Sequence, residues 1–258
     1  MKKQLKVIKV GGGVVEDELA ISQLIRRFAT LEGPLILVHG GGRSATKIAT
    51  LLGLQTELID GRRVTDKAML QVATMVYGGL VNKNIVALLQ ASGINALGLT
   101  GADGNLINAH RRAVGKIDYG WVGDVDRVNG ELLCQLINSG LIPVIAPLTH
   151  DGKGSLLNTN ADTIAGECAK AMSQFYDVQL IYCFEKEGVL LSPTDETSVI
   201  EKMTPTLFQQ YVQQGIIQGG MIAKLEQAFD ALEGGVQRVL ISSHLHLGSN
   251  RGTQILAK

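Results

Sequence analysis

The 258-residue sequence is poor in aromatic residues and cysteines, has no excess of charge, and contains no long apolar run. Aromatic residues make up 4% of the chain, too few for a surface on which nucleic-acid bases stack. The 24 basic and 24 acidic residues cancel, which argues against binding to nucleic acid or to an anionic membrane. The 3 cysteines lie far apart and fit neither a disulfide framework nor a zinc site. No apolar run approaches the ~20 residues of a membrane span, so we expect a cytoplasmic protein.

Familiar catalytic motifs are missing as well, and two glycine-rich junctions stand in their place. The phosphate-loop pattern GxxxxGK[ST] does not occur, and neither does the GxSxG elbow that an esterase reading of His39-Gly40-Gly41-Gly42 requires. Instead, apolar residues 5–10 and 34–39 each run directly into glycines. Such junctions expose backbone N–H groups at the strand ends, where open α/β sheets bind ligands and where phosphate oxygens fit. With Lys9 beside the first junction, the pattern indicates a phosphorylated ligand and suggests phosphoryl transfer.

Strand and helix patterns alternate along the chain. They predict strands at 5–10, 34–39, 141–147, 178–183 and 236–242, with helices at 17–31, 43–53, 66–92, 131–139, 160–175, 204–214 and 220–233. Residues 96–130 contain short β segments separated by glycines, which we interpret as added β-hairpins. The alternation predicts an α/β fold with three layers: an open, mainly parallel sheet covered by helices on both faces. A soft boundary near 150–158 separates the half that carries the hairpins from the rest.

Three further segments carry polar residues that could serve chemistry or structure. Asn158, Asn160 and Asp162 open a predicted helix, where one of them suffices as the N-cap, and Asp162 could orient lysines or hold a magnesium shell. Lys224 falls near a helix N-terminus, where it is either a solvated lysine or a phosphate ligand. One arginine of the pair that ends at Arg63 could grip a carboxylate with its guanidinium fork.

Seven motifs follow one another over nearly the whole chain: Lys9-Val10-Gly11-Gly12, His39-Gly40-Gly41-Gly42, Gly61-Arg62-Arg63-Val64-Thr65, Val122-Gly123-Asp124-Val125, Ile142-Pro143-Val144-Ile145-Ala146-Pro147, Asn158-Thr159-Asn160-Ala161-Asp162 and Gly219-Gly220-Met221-Ile222-Ala223-Lys224. In this joint order they resemble the amino acid kinase family, and within it the kinases that act on an N-acylated glutamate. The resemblance implies the amino acid kinase fold in a single domain over 1–258. It further implies that a half at about 1–157 binds the acylglutamate and dimerises, and that a half at about 158–258 binds the nucleotide.

The resemblance also implies an activity and a set of site residues. The implied reaction is phosphorylation of the γ-carboxylate of an N-acyl-L-glutamate, N-acetyl-L-glutamate by default, by ATP with Mg²⁺ in arginine biosynthesis. The implied residues fall into three groups: catalytic Lys9, Lys224 and Asp162, with the aspartate organising both lysines; substrate-binding Gly41, Gly42, Arg63 and Asn158; and nucleotide-binding Gly11, Gly12, Glu185, Gly188 and Gln218. No residue is implied as a metal ligand.

The chain departs from the family pattern in one stretch, and the choice of substrate stays open. Residues 183–189 stand where the family has T/S-D-V-x-G-V, with Glu185 in place of the aspartate and Lys186 in place of an apolar residue. The acyl group could be larger than acetyl, for example succinyl. The alternatives are a kinase for another small acid such as free glutamate, or a nucleotide or amino-acid sensor without catalysis. The resemblance also implies a homodimer, which we expect to be joined through the helix at 66–92. In the family, arginine-sensitive members carry an N-terminal helix that links dimers into hexamers; because the first strand here begins near Leu5, we expect that arginine does not inhibit this protein.

Overall fold

A computed structural model describes residues 2–59 and 61–258, and strands alternate with helices along them. The strands, in chain order, are β1 (Gln4–Val10), β2 (Leu35–His39), β3 (Leu58–Ile59), β4 (Arg62–Arg63), β5 (Ala96–Leu99), β6 (Ile107–Arg111), β7 (Gly123–Val128), β8 (Ile142–Ile145), β9 (Leu148–His150), β10 (Leu156–Asn158), β11 (Asp177–Phe184), β12 (Lys202–Met203), β13 (Arg238–Ser243) and β14 (Thr253–Ile255).

Apart from α1, which was not predicted, the helices agree with the predicted ones to within a few residues at most ends. They are α1 (Gly12–Glu16), α2 (Glu18–Phe28), α3 (Gly42–Leu51), α4 (Lys67–Ala73), α5 (Asn82–Ala91), α6 (Gly130–Asn138), α7 (Ala161–Ser173), α8 (Pro205–Gln213) and α9 (Gly220–Glu233). The segment Thr74–Val81 connects α4 to α5 as a π-helix. Short 3₁₀ turns lie at Asp103–Asn105 and His244–His246.

Eight strands form the main sheet in the order β12-β14-β13-β11-β1-β2-β8-β5. The six strands from β13 to β5 are parallel to their neighbours, and β14 pairs antiparallel with β13. The prediction of an open, mainly parallel sheet with helices is therefore confirmed. One difference concerns the edge of the sheet. The predicted sheet ends at β13 and lacks β12 and β14, because these strands have only two and three residues and leave no periodic signal.

A second sheet, in the order β10-β9-β6-β7, contains one hairpin, β6–β7, within the predicted region 96–130, and another, β9–β10, that lies outside that region and was not predicted. β6 pairs antiparallel with β7, and β9 pairs antiparallel with β10. The other correction concerns β5, which we assigned to the hairpin region. It is instead the edge strand of the main sheet, parallel to β8, because its short apolar stretch continues the βα alternation after α5.

The alternation of side chains along β1 divides the core into two layers. Leu5 and Val7 pack in a buried cluster with residues of α7 and α9. Ile8 and Val10 pack in a second cluster, on the side of α2 and α3. Lys9 has the same parity as Leu5 and Val7, so its side chain leaves the strand on the side of α7 and α9.

Contrary to the sequence-based expectation that no apolar run approaches a membrane span, the helical run Lys67–Ala91 is long and apolar enough, by length and composition, to cross a membrane, and 44% of its most apolar window is buried inside the fold. Its buried residues, among them Met69, Val76, Ile85 and Leu89, belong to the second core cluster. Within this fold the run therefore serves as a core helix. Its other side leaves Met75 and Leu80 about half exposed (55% and 50%).

Candidate active site

An aspartate and two lysines from three distant parts of the chain meet at the carboxyl end of β1. The Nζ atom of Lys9 lies 2.8 Å from Oδ1 of Asp162, in the first turn of α7. The Nζ atom of Lys224, in α9, lies 2.8 Å from Oδ2 of the same carboxylate. Each carboxylate oxygen thus faces its own ammonium group. We call these three residues the lysine–aspartate–lysine cluster.

The local fold at the start of α7 leaves the Asp162 side chain available for the lysines. Oδ1 of Asn160 accepts hydrogen bonds from the backbone N–H groups of Asp162 and Thr163, at 2.7 and 3.3 Å. Asn160 is therefore the N-cap, which answers the question that the sequence leaves open about the three polar residues. Asp162 contacts both lysines, and its role in organising them stays a prediction.

The electrostatics of the cluster favour three charged groups with a net charge of +1. Burial alone would raise the pKa of Asp162, but the ammonium groups of Lys224 and Lys9 outweigh it and hold this pKa well below its ordinary value. Burial lowers the pKa of Lys224, and the Asp162 carboxylate opposes that change. A buried site that keeps one net positive charge is suited to an anionic ligand.

The two glycine junctions meet beside the cluster. A Cβ atom added to Gly12 would lie 3.5 Å from the backbone nitrogen of Gly41, so the two loops approach each other closely. Gly41 has φ +154°, and an added Cβ would lie 3.1 Å from Cδ1 of Tyr77, so this position favours glycine. Gly42 begins α3. Backbone amides from two helix starts thereby border one space, as the glycine pattern predicts.

Arg63 and Asn158 stand on the wall of the same space. Nη2 of Arg63 donates to the carbonyl oxygen of Gly42 and to Oγ1 of Thr46, each at 2.8 Å. Its Nη1 is buried and has no hydrogen-bond partner among residues 2–59 and 61–258. The side chain of Asn158 is fixed by a 3.0 Å hydrogen bond from Nδ2 to Oγ1 of Thr65. The guanidinium is thus held in place with one donor directed at no protein group that the structure describes.

Seven of the predicted site residues line a single cavity of about 240 Å³: Lys9, Gly12, Gly41, Gly42, Arg63, Asn158 and Asp162. Gly188 and Gln218 line a second cavity, of about 470 Å³, between the end of β11 and the start of α9. α9 connects the two spaces, because Met221 in its first turn lines the second cavity and Lys224 reaches Asp162. The sequence-based residues therefore divide into two neighbouring sites.

Two of the predicted nucleotide-binding residues lie apart from both cavities. The side chain of Glu185 forms an ion pair with Arg43, Oε1 to Nη2 at 3.3 Å, and lies directly over Gly13. The backbone N–H of Gly11 donates to the carbonyl oxygen of Cys183 at 2.9 Å and is therefore already engaged. A nucleotide contact of either residue stays a prediction.

The chain matches the model of the amino acid kinase family over residues 4–243. The chain belongs to the amino acid kinase family. Curated relatives include acetylglutamate kinase of Bacteroides fragilis, 58% identical over 99% of this chain and 98% of that protein. Acetylglutamate kinase of Methanopyrus kandleri is 40% identical over 96% of this chain and 99% of that protein.

Solved structures show the amino acid kinase fold over the same length. The protein smu.665 from Streptococcus mutans is 30% identical, with a TM-score of 0.84 over 98% of this chain and 99% of that chain. Carbamate kinase from Giardia is 11% identical with a TM-score of 0.67, over 99% of both chains. At that identity the likeness concerns the fold alone. The predictions of family and fold from the sequence motifs are thereby confirmed.

Three residues that line the first cavity were not predicted as site residues. Tyr77 lines the first cavity and projects from the π-helical segment, an irregularity that often marks functional positions but leaves no pattern in the sequence. Burial raises the pKa of Tyr77, and the neighbouring Arg63 guanidinium opposes this rise. Arg112 and Asp124 also line the cavity. The motif that contains Asp124 was recognised, but nothing in the sequence connects it to Arg112.

His39 has a structural position behind the second glycine junction. Its Nδ1 lies 2.7 Å from the carbonyl oxygen of Gly40, and its Nε2 lies 3.1 Å from Nδ2 of Asn82. Burial lowers the pKa of His39 to about 4. A neutral ring with a proton on Nδ1 satisfies both contacts, donating to Gly40 and accepting from Asn82. This agrees with the interpretation of His39 as a structural residue.

Proposed function

We propose that this chain transfers a phosphoryl group from ATP to the γ-carboxylate of N-acetyl-L-glutamate, giving an acyl phosphate in arginine biosynthesis. The observation that carries the proposal is the lysine–aspartate–lysine cluster, which adjoins two glycine junctions and an arginine in one cavity. Relatives that are 40–58% identical over nearly the full chain and are named acetylglutamate kinase support it. Membership in a kinase family supports ATP as the phosphoryl donor.

In this proposal the cluster stabilises the negative charge of the phosphoryl group during transfer. Phosphoryl transfer needs positioning and charge neutralisation more than covalent help from the protein. Lys9 and Lys224 each contact a different carboxylate oxygen of Asp162. Asp162 therefore holds both ammonium groups in place before the substrates bind. Fixed charges of this kind favour the transition state because they need no reorganisation during the reaction.

The remaining predicted residues place the two substrates. Nη1 of Arg63 is the donor that we assign to the α-carboxylate of the acylglutamate, and Asn158 borders the same substrate. The backbone amides at Gly12, Gly41 and Gly42 face phosphate and carboxylate oxygens. The second cavity, with Gly188 and Gln218, is large enough for part of a nucleotide, and its contact with α9 directs the phosphates toward Lys224.

We assign the Mg²⁺ that accompanies ATP to phosphate oxygens and not to a set of protein ligands. Both oxygens of Asp162 already face ammonium groups, which disfavours this carboxylate as a direct metal ligand. Over the described part of the chain, no group of three or more His, Cys, Asp and Glu side chains lies close enough together to hold a metal ion. When bound, the ion would neutralise part of the phosphate charge.

We further propose a cytoplasmic homodimer. The exposed apolar residues Met75 and Leu80 lie on the long helical run, next to the large buried surface on its other side. A second copy of the same helix would cover them from water, as symmetric dimers commonly do. The free thiols of Cys134, Cys168 and Cys183 agree with a reducing compartment.

An ADP-release assay with ATP, Mg²⁺ and a panel of acceptors tests the proposed function. The panel contains N-acetylglutamate, N-succinylglutamate and free glutamate. We expect turnover with an N-acylglutamate and poor turnover with free glutamate. Turnover with free glutamate alone would identify a kinase for another small acid. If the protein binds ATP but releases no ADP with any of the acceptors, it is a sensor.

A further inference from the structure

Arg112 forms a second, separately held arginine site in the wall of the substrate cavity. It follows β6, and its partner Asp124 lies in the antiparallel neighbour β7. Nε of Arg112 donates to both carboxylate oxygens of Asp124 at 3.1 Å, and Nη2 contacts Oδ1 as well. Cζ of Arg112 also lies 5.5 Å from the centre of the Tyr119 ring. The guanidinium is therefore fixed by a carboxylate and by an aromatic ring.

One nitrogen of this fixed guanidinium has nothing to donate to within the described protein. Nη1 of Arg112 is buried and has no hydrogen-bond partner among residues 2–59 and 61–258. Leaving a buried charged donor unpaired is unfavourable. The side-chain nitrogens in this condition are Nη1 of Arg112 and Nη1 of Arg63, and both residues line the same cavity. Two unpaired guanidinium nitrogens, on two residues that line one cavity, point to two acceptor groups on the molecule that fills it.

The carboxylate of Asp124 already balances the charge of Arg112, so a ligand need not carry a negative charge to bind there. The hydrogen bonds from Arg112 hold the pKa of Asp124 below its ordinary value, so the pair is ionised and neutral overall at physiological pH. The remaining function of Nη1 is that of a directional N–H donor. An oxygen atom, either a carbonyl or a carboxylate, satisfies such a donor.

The substrate of the proposed function has one part without an assigned partner. Its γ-carboxylate belongs beside the lysine–aspartate–lysine cluster, and its α-carboxylate belongs to Arg63. The N-acyl arm remains. We infer that Arg112, held in place by Asp124, is a substrate-binding residue that donates a hydrogen bond from Nη1 to an oxygen atom of the N-acyl arm. This inference rests on the proposed function, since it assigns one more group of the same substrate.

The conservative variant Arg112→Lys tests the inference, because it keeps the positive charge and removes Nη1. We expect the KM for N-acylglutamate to rise roughly 10- to 100-fold, the loss typical of one hydrogen bond from a charged group. The KM for ATP, and kcat/KM for free glutamate, which has no acyl arm, should stay unchanged. Calorimetric titration of Arg112→Lys with the affected N-acylglutamate in the absence of ATP should show a matching loss in affinity.

Arg111→Lys is the matched control. Arg111 is the adjacent residue, lies against Trp121 at 5.0 Å, donates to the carbonyl oxygen of Gly120, and does not line the cavity. The Arg111→Lys variant should keep the KM values of the unmodified protein. The variant Asp124→Asn removes the carboxylate that orients Arg112 and should raise the same KM by a smaller factor. Far-UV circular dichroism reports whether each variant is folded.

Comparing the effect of Arg112→Lys on two substrates identifies the acceptor oxygen. An equal loss with N-acetyl- and N-succinylglutamate assigns Nη1 to the amide carbonyl, and a larger loss with the succinyl compound assigns it to the terminal carboxylate. Either result supports the inference. An unchanged KM for every N-acylglutamate, or equal losses on acylglutamate and free glutamate, overturns it. Failure of the unmodified protein to phosphorylate any N-acylglutamate would instead refute the proposed function.

Discussion

The substitution Asp162→Asn should separate the structural from the electrostatic role of the lysine–aspartate–lysine cluster. It keeps the shape of the side chain and removes the charge that both lysines share. The side chains concerned are almost enclosed, with 17% of Asp162, 10% of Lys9 and 12% of Lys224 exposed. Removing one partner of a buried ion pair typically destabilises a protein by about 3–5 kcal/mol, because the other charge stays buried without compensation. For a domain of this size that corresponds to a melting temperature lower by about 6–20 °C.

The pH dependence of this loss has a defined sign. Burial already lowers the pKa of Lys224, and removal of the Asp162 carboxylate lowers it further. A lysine whose pKa is lower in the folded than in the unfolded state stabilises the fold increasingly as pH rises toward the unfolded value. The stability gap between Asp162→Asn and the unmodified protein should therefore narrow between neutral and alkaline pH.

A second ion pair between the same two helices provides the control. Nζ of Lys170 in α7 lies 2.8 Å from Oδ2 of Asp230 in α9, the same separation as in the buried cluster. The Asp230 side chain is 53% exposed, so Asp230→Asn should change the free energy of unfolding by at most about 1 kcal/mol. Urea denaturation of both variants measures the two effects. Equal losses, or no loss for Asp162→Asn, would refute the view that the cluster is a buried, mutually dependent set of charges.

Three further predictions concern substrate binding, pH and assembly. Arg63→Ala should raise the KM for the acylglutamate and leave the KM for ATP nearly unchanged in steady-state kinetics, whereas a selective defect in ATP would place Arg63 at the other substrate. Because burial lowers the pKa of His39 to about 4 from about 6.5, the fold should lose stability as pH falls below about 6.5. Between pH 7 and pH 5 the loss in free energy of unfolding amounts to about 2 kcal/mol. Chemical denaturation of His39→Gln should show a smaller loss over that interval, and an equal loss in both proteins would contradict the prediction. Leu80→Glu should convert the dimer to a monomer in light scattering, whereas Leu19→Glu, at an exposed apolar position on α2, should not; a monomer before mutation would contradict the proposed assembly.

The sequence predicts most of the main sheet because its central strands are largely apolar and alternate with amphipathic helices. β1 and β2 are buried along nearly their whole length and lie within a residue of the predicted bounds. The short edge strands β12 and β14 could not be predicted in the same way. Strands of two or three residues contain no period, and they form only because β13 offers them a partner.

The candidate site follows a similar division. Lys9, Asp162 and Lys224 could be proposed together because each stands in a motif of its own, and strand parity alone directs Lys9 to the layer of α7 and α9. Tyr77 and Arg112 could not be proposed, because their positions depend on contacts across the fold. A π-helical segment directs Tyr77 under Gly41, and the antiparallel pairing of β6 with β7 brings Arg112 to Asp124.

Direct identification of the product tests the central claim most closely. Hydroxylamine converts an acyl phosphate into a stable hydroxamate, which mass spectrometry assigns to a particular carboxylate. With ATP, Mg²⁺ and N-acetylglutamate, we expect the γ-hydroxamate to accumulate in step with ADP. The rate should fall by about 10²–10³ in Lys9→Ala and Lys224→Ala, since each variant removes one charge that stabilises the transferring group. ADP release without any γ-hydroxamate, or undiminished formation of it in folded Lys224→Ala, would contradict the account.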